Sequence, residues 1–319
     1  MVRNRIAAGI LAGLLAGPAA AQYPDRPVTV IHNYGPGTAS DATARALAEA
    51  FSARLGQPFP VMNRDGAAGV VGSRVLTGSP ADGYTILIGP MTALTSQPHL
   101  VRNTGLAPEA VAPVCNVSAN MLGIVVRAES PLRNGRDVLN AARQAPLTYG
   151  STGTLSLSAL GVHRLIAAGG GDGGRFTSVA FRSDAASLTE TMAGRLDFST
   201  TLIANATPLV RAGTLRLIGV FADRRYPEFP DVPTFLEQGI DAQQMSYAGI
   251  IAPLGTPEPV LAALEAACEA AMQSEPWKRA VAQFGIVVDY KGRAAFGRLL
   301  ATEYRTLGAV LHELGARPE

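Results

Sequence analysis

Short apolar, β-branched runs alternate with stretches of helical periodicity along most of this chain, and that alternation constrains the fold more than any other feature. Runs at 28–31, 84–88, 123–126, 147–149, 196–199, 215–220 and 247–252 have the length and composition of strands. Between them lie stretches such as 42–55, where Ala44, Leu47, Ala48 and Phe51 recur at i, i+3, i+4 and i+7. Strand and helix in alternation build βα units, and these imply largely parallel sheets with helices on their faces. The last third departs from the pattern, because 257–273, 275–284 and 294–314 read as successive helices wrapped around the outside of one lobe. The first of these starts with Thr256 as its expected N-cap and Pro257 at the first helical position.

The N-terminus reads as an export signal. Arg3 and Arg5 precede an apolar stretch from Ile6 to Ala16, and the small residues Pro18, Ala19, Ala20 and Ala21 offer an A-x-A cleavage site. Residues 1–21 would then be removed, with no cysteine after the cut to carry a lipid anchor and no later apolar run long enough to span a bilayer. The expected product is a soluble periplasmic protein of about 300 residues, long enough for a substantial core. At 47% apolar and 16% charged it has a globular composition. A net charge of +2 from scattered basic residues, with no interleaved aromatic platform, speaks against a nucleic-acid partner.

One local pattern occurs twice. An apolar strand leads into Asn33, Tyr34, Gly35, Pro36, Gly37, Thr38, Ala39 and Ser40, then a helix; another leads into Tyr149, Gly150, Ser151, Thr152, Gly153, Thr154, Leu155 and Ser156, then a helix. Such a turn aims unpaired N–H groups and the positive end of the helix dipole at the loop. Glycines admit an anion close to the backbone, and hydroxyls add neutral donors. Two such jaws suit a small carboxylate, and in open α/β sheets ligands sit beyond the carboxyl ends of the strands, where these turns fall.

Enzyme motifs are missing by comparison. There is no Gly-x-Ser-x-Gly elbow, no His-Glu-x-x-His, no cysteine-pair metal spacing and no Gly-Lys-Ser/Thr after the glycine run at 169–174, which reads as a flexible loop. Gly35-x-Gly37-x-x-Ser40 is an incomplete dinucleotide fingerprint without an acidic residue in place. His32, His99, His163 and His312 lie far apart and read as surface or satisfied core residues. Neither a cofactor nor a metal is expected. Cys115 and Cys268 are the only cysteines; export permits a bridge, while the helical face that Cys268 shares with Leu261, Leu264 and Met272 favours a core thiol.

Taken in order, a further set of segments resembles the tripartite tricarboxylate transporter substrate-binding proteins, the Bug or TctC-like family. They are Tyr23-Pro24-Asp25-Arg26-Pro27, Gly37 to Asp41, Ala44-Arg45-Ala46-Leu47-Ala48, Asn63-Arg64-Asp65-Gly66-Ala67-Ala68-Gly69 and Ser79-Pro80-Ala81-Asp82-Gly83-Tyr84-Thr85. Tyr149-Gly150-Ser151-Thr152-Gly153, Arg211-Ala212-Gly213-Thr214-Leu215-Arg216 and Phe229-Pro230-Asp231-Val232-Pro233-Thr234 complete it. The resemblance implies an α/β, type II-like periplasmic binding protein of two lobes, each a mostly parallel sheet flanked by helices, joined by crossings near 118–123 and 244–248. Lobe one would be discontinuous, 22–119 plus 247–319, and lobe two 120–246. It further implies a monomeric, non-enzymatic receptor for a di-, tri- or aromatic carboxylate that serves a membrane permease of large and small subunits. A membrane sensor kinase is the alternative client.

Carried over by position, lobe one would contribute Tyr34, Gly37, Thr38, Ser40, Asp41 and Thr92 to the ligand, and lobe two Ser151, Thr152 and Gly153. Asp41 is expected to order the loop more than to touch an anion. Thr38 and Leu155 stand where the family has glycines, Ala159 replaces a common His, Phe181-Arg182-Ser183 a Tyr-Lys-Gly, and Thr201 a common Asp. Without the acid at 201 an amino-acid ligand is disfavoured, and Leu155, Phe181 and Leu202 suit a more apolar acid. Arg182 is a candidate carboxylate clamp beside a bland reading as a solvated side chain.

Overall fold

The computed structural model describes residues 23–318; the segment read as an export signal lies outside the described residues. In chain order the first elements are β1 (Thr29–His32), α1 (Ala39–Leu55), β2 (Val61–Asn63), α2 (Val70–Thr77), β3 (Thr85–Pro90) and α3 (Thr92–Thr95). Then come β4 (Val111–Arg127), α4 (Gly135–Gln144), β5 (Leu147–Ser151), α5 (Leu157–Ala168), β6 (Phe176–Ala180), α6 (Asp184–Met192), β7 (Phe198–Leu202), α7 (Ile203–Arg211) and β8 (Leu215–Val220). The chain ends with β9 (Met245–Pro253), α8 (Glu258–Ala271), α9 (Glu275–Phe284), β10 (Val288–Gly292) and α10 (Arg293–Glu313).

Two lobes result. In the first, β1 pairs in parallel with both β2 and β3, and β3 pairs antiparallel with β9. In the second, β5 pairs in parallel with β6 and β7. The 17-residue β4 joins them: its first part pairs with β9 and β10, its last part with β7 and β8, all antiparallel. The change of partner falls where Met121 opposes Met245 and Leu122 opposes Leu202.

Each lobe has its own core. The periodic face of α1 is buried as its spacing predicts, with Leu47 and Phe51 packing against Ile86, Val114 and Trp277. On the opposite face of that sheet, Leu87, Met91, Ile251, Phe296 and Leu300 form a second layer under α10. In lobe two, Tyr149, Val162, Leu165, Phe198, Phe221 and Phe235 form the main cluster. Each such side chain removed from water contributes roughly 1.5–3 kcal/mol of transfer free energy, against which stands the entropy of ordering it. A smaller cluster spans the lobes: Leu160 of α5 packs on Leu307 and Leu311 of α10, with Leu100 and Leu155 at its margin.

Cys115 of β4 and Cys268 of α8 are joined as a disulfide, so the expectation of a core thiol is corrected. Burial and bonding coexist, since both residues are fully buried. The N-cap expected at Thr256 also shifts: Pro257 is the capping residue, and the Thr256 hydroxyl donates to the Pro253 carbonyl at 2.8 Å.

Candidate functional site

A cavity of about 1100 Å³ opens between the lobes at the carboxyl ends of β1 and β3. Tyr34, Thr38, Ser40 and Thr92 line it from lobe one, Ser118 and Asn120 of β4 form part of its floor, and Leu202, Ala204 and Asn205 face in from lobe two. The end of α9 and the segment after it, including Phe284 and Val287, close one side.

The lobe-one wall is built by the turn between β1 and α1. Thr38, extended at φ −79° and ψ 160°, caps α1 by accepting from the Asp41 N–H at 3.1 Å. Gly37 sits at φ +81°, a conformation that costs an L side chain energy. Its N–H donates to Asp41 Oδ2 at 3.0 Å. Arg45 donates to the same carboxylate through Nε and Nη2 at 3.0 and 3.1 Å, and Asn63 Nδ2 donates to Oδ1 at 2.8 Å. Burial would raise the Asp41 pKa, but the bonds from Arg45, Asn63 and Gly37 outweigh it and hold the carboxyl below its usual range. All of these partners are protein groups, so Asp41 is a brace for the loop.

Beneath the brace, His32 is fully buried. Its Nδ1 lies 2.7 Å from the Ile88 carbonyl and its Nε2 3.2 Å from Ser40 Oγ. Burial lowers its pKa, against the pull of the Ile88 bond and of Asp41. Tyr34 OH lies 3.0 Å from Thr92 Oγ1, and the Thr92 hydroxyl donates to the Ala68 carbonyl at 3.3 Å. Neither histidine nor these hydroxyls stood out in the sequence as a connected set, because the partners come from three separate loops.

In lobe two the residues expected at the second jaw stand apart from this cavity's lining. Ser151 is buried and its hydroxyl donates to the Gly153 carbonyl at 3.0 Å, while Thr152 is exposed. Gly153 has φ +148° and its carbonyl also accepts from the Ser156 hydroxyl, the N-cap of α5, at 2.7 Å. Phe181 is half-buried and its N–H donates to the Ser151 carbonyl at 2.8 Å; Arg182 is exposed. Thr201 is buried, with its hydroxyl on the Leu202 carbonyl at 3.2 Å. Leu155 packs toward the interlobe leucine cluster. The lobe-two wall is instead the start of α7. It was legible only as the neighbourhood of Thr201 and Leu202, since Pro208 within the helix breaks its pattern.

The charges on the cavity wall neutralise each other: Arg211 and Glu228 both line it and form an ion pair with one another. At the start of α7 the Asp184 carboxylate accepts from Leu202 N–H at 3.3 Å and from Asn205 Nδ2 at 2.7 Å. Both helix starts thus carry a carboxylate in a brace, Asp184 at α7 and Asp41 at α1, and the side chains that the α1 start turns to the cavity, Tyr34, Thr38, Ser40 and Thr43, are neutral. Among the described residues no group of three or more His, Cys, Asp or Glu is placed to hold a metal, and no helix is long and apolar enough to cross a membrane. The geometry offers a wide, mostly neutral cleft at a helix N-terminus, suited to reversible binding.

Known proteins resemble this chain in sequence and fold. The family model described as "Tripartite tricarboxylate transporter family receptor" matches residues 43–316. A UPF0065 protein from the gbd 5' region of Cupriavidus necator is 29% identical, over 99% of this chain and 97% of its own. BugT of Bordetella pertussis is 28% identical over 96% of this chain and 94% of its own. A TctC solute-binding protein from Polaromonas superposes with a TM-score of 0.83 at 26% identity, covering 91% of this chain and 99% of that one. An R. palustris protein solved with adipate has a TM-score of 0.75 at 25% identity, covering 93% and 100% of the two chains. MatC from Rhodopseudomonas palustris, with bound malate, has a TM-score of 0.71 at 25% identity, covering 91% and 100%. This chain belongs to the tripartite tricarboxylate transporter receptor family, the TctC or Bug-type solute-binding proteins.

Proposed function

We propose that this protein captures a small carboxylate, a di-, tri- or aromatic acid, in its interlobe cleft outside the cytoplasmic membrane and delivers it to a tripartite membrane permease of large and small subunits. No bond in the solute is made or broken. The observation that carries the reading is the α1 N-terminus, braced by Asp41 and opening on a cleft without unpaired charge. Adipate and malate in related structures support the ligand class. In this reading the lobes are 22–119 plus 247–319 and 120–246, residues 1–21 direct export to the periplasm, and a monomer closes on its ligand. Closure follows from differential affinity: a solute bridging both walls favours the conformation in which both are in reach.

A thermal-shift panel of malate, adipate, citrate, benzoate and glutamate tests the proposal. A rise of several degrees with at least one of the carboxylates at millimolar concentration is expected by ligand linkage. No shift with any of them, from a folded sample, refutes it. Co-purification with the permease subunits tests delivery.

A further inference from the structure

The hydroxyls on the lobe-one wall can be counted as donors, and the count decides what the wall offers a ligand. The Thr38 hydroxyl donates to the Gly35 carbonyl at 3.1 Å and the Thr92 hydroxyl to the Ala68 carbonyl. With the Thr92 proton spent, the Tyr34 hydroxyl is the donor in its contact with Thr92 Oγ1. Ser40 remains. The Ile88 carbonyl can only accept, so His32 carries a proton on Nδ1. Ser40 Oγ lies 3.1 Å from Thr38 Oγ1 as well as 3.2 Å from His32 Nε2, but a neutral ring leaves Nε2 bare and buried with Ser40 as its partner, so the Ser40 proton goes to Nε2. All four hydroxyls thus have their protons engaged within the protein and are left with lone pairs to offer, the wrong polarity for a carboxylate.

Three of the four protons go to groups that cannot titrate in water: two carbonyls and the Thr92 hydroxyl. The fourth goes to an imidazole. A proton taken up at His32 Nε2 would donate to Ser40 Oγ and release the Ser40 hydroxyl to the ligand, while Nδ1 keeps its bond to Ile88. Rotating Ser40 alone would strand a bare nitrogen on a ring that is 0% exposed.

We propose that carboxylate binding in this cleft is coupled to protonation of His32, which converts Ser40 from an acceptor to a donor. The inference rests on the carboxylate reading above. The charged groups around the ring are consistent with a proton that arrives only with an anion. Asp41 on α1 and Asp65 after β2 favour the cation, Arg45 on α1 opposes it, and β3 presents only the Ile88 carbonyl and Gly89. Burial disfavours the charged form of the unliganded ring, and an anionic ligand beside Ser40 favours it.

The test has two parts. Histidine nitrogen NMR on the unliganded protein between pH 6 and 8 should show His32 as the neutral Nδ1–H tautomer; an Nε2–H tautomer or a doubly protonated ring overturns the proposal whatever the ligand. Calorimetry with malate and adipate, in buffers of different ionisation enthalpy, should then show uptake approaching one proton at pH 7.5 and affinity that weakens by up to about tenfold per pH unit above neutrality. S40A, which keeps the His32 bond to Ile88, should bind more weakly at pH 6 and lose most of the uptake. H32Q should bind with little pH dependence. Zero uptake in the wild type, or wild-type uptake in S40A, refutes the coupling while leaving the carboxylate reading intact; absence of binding by every acid of the panel removes both.

Discussion

Replacing Asp41 with Asn keeps the shape of the brace and removes its charge, so it isolates what the carboxylate does. Oδ2 accepts from Gly37 N–H and Arg45 Nε; Oδ1 accepts from Arg45 Nη2 and Asn63 Nδ2. An asparagine must place its NH₂ at one of these two positions, and in either it faces two donors. Two of the four bonds are lost whichever way the amide turns, and the others lose their charge assistance. A neutral bond contributes about 1 kcal/mol and a charge-assisted one roughly 1.5–3 kcal/mol. Because the Arg45 side chain is 50% exposed, its share is discounted for solvent screening. The expected loss is about 2–4 kcal/mol, or roughly 3–6 °C in Tm for a chain of this size.

Released from Asp41, Gly37 and Thr38 sample other conformations, and the α1 terminus is no longer held toward the cleft. Affinity for malate or adipate should fall by about tenfold, equivalent to 1.4 kcal/mol. The pH dependence supplies a check on the cause. The folded-state pKa of Asp41 is depressed, so its contribution is complete above the unfolded carboxyl pKa, near 3.9, and lost as pH falls through the lower folded value. The gap in stability between wild type and D41N should therefore close as the pH is lowered below about 4. An unchanged Tm and unchanged affinity in D41N would refute the brace; loss of binding confined to glutamate would show instead that Asp41 meets an ammonium group.

Three further outcomes follow from the fold. The disulfide closes a segment of 153 residues; its reduction, or C268S, should cost up to about 5 kcal/mol by chain entropy, seen as a lower urea midpoint with reductant than without. The folded pKa values of His32 and His163 are both lowered, mainly by burial. Stability of the unliganded protein should therefore be full above about pH 6.5 and fall between there and the folded values, as the unfolded chain alone takes up protons, measured by denaturant midpoints at pH 7.5 and 5.5. Leu160 sits between the lobes, so L160A should increase the radius of gyration in X-ray scattering of the unliganded protein as the lobes part; an unchanged radius would mean that the leucine cluster does not set the lobe angle.

Much of the architecture was legible because its determinants are local. Ala44, Leu47, Ala48 and Phe51 announce α1 through spacing alone, and seven of the strands stand out as apolar runs. Three others do not: β2 is only three residues long, β6 turns partly to solvent, and β10 carries Asp289 and Lys291. The first half of β4 was hidden by Pro113, which a continuous strand should not tolerate; the sheet accommodates it at a register shift between Pro113 and Cys115. At the site, the turn from Asn33 to Asp41 was readable from its glycines and hydroxyls. The partners that give it meaning were not, since Asn63, Ile88, Ala68 and the start of α7 reach it only through the fold.

The route of β4 and β9 also has a kinetic side. Lobe one cannot complete its sheet from the residues that begin it: β3 waits for β9, which is made about 160 residues later, after the whole of lobe two. Closing so long a loop before any of its contacts are gained is slow. The N-terminal third of the nascent chain should thus linger without its native partner strand, a delay that, in the export reading proposed above, would keep it threadable through a translocation channel until the remainder has been synthesised.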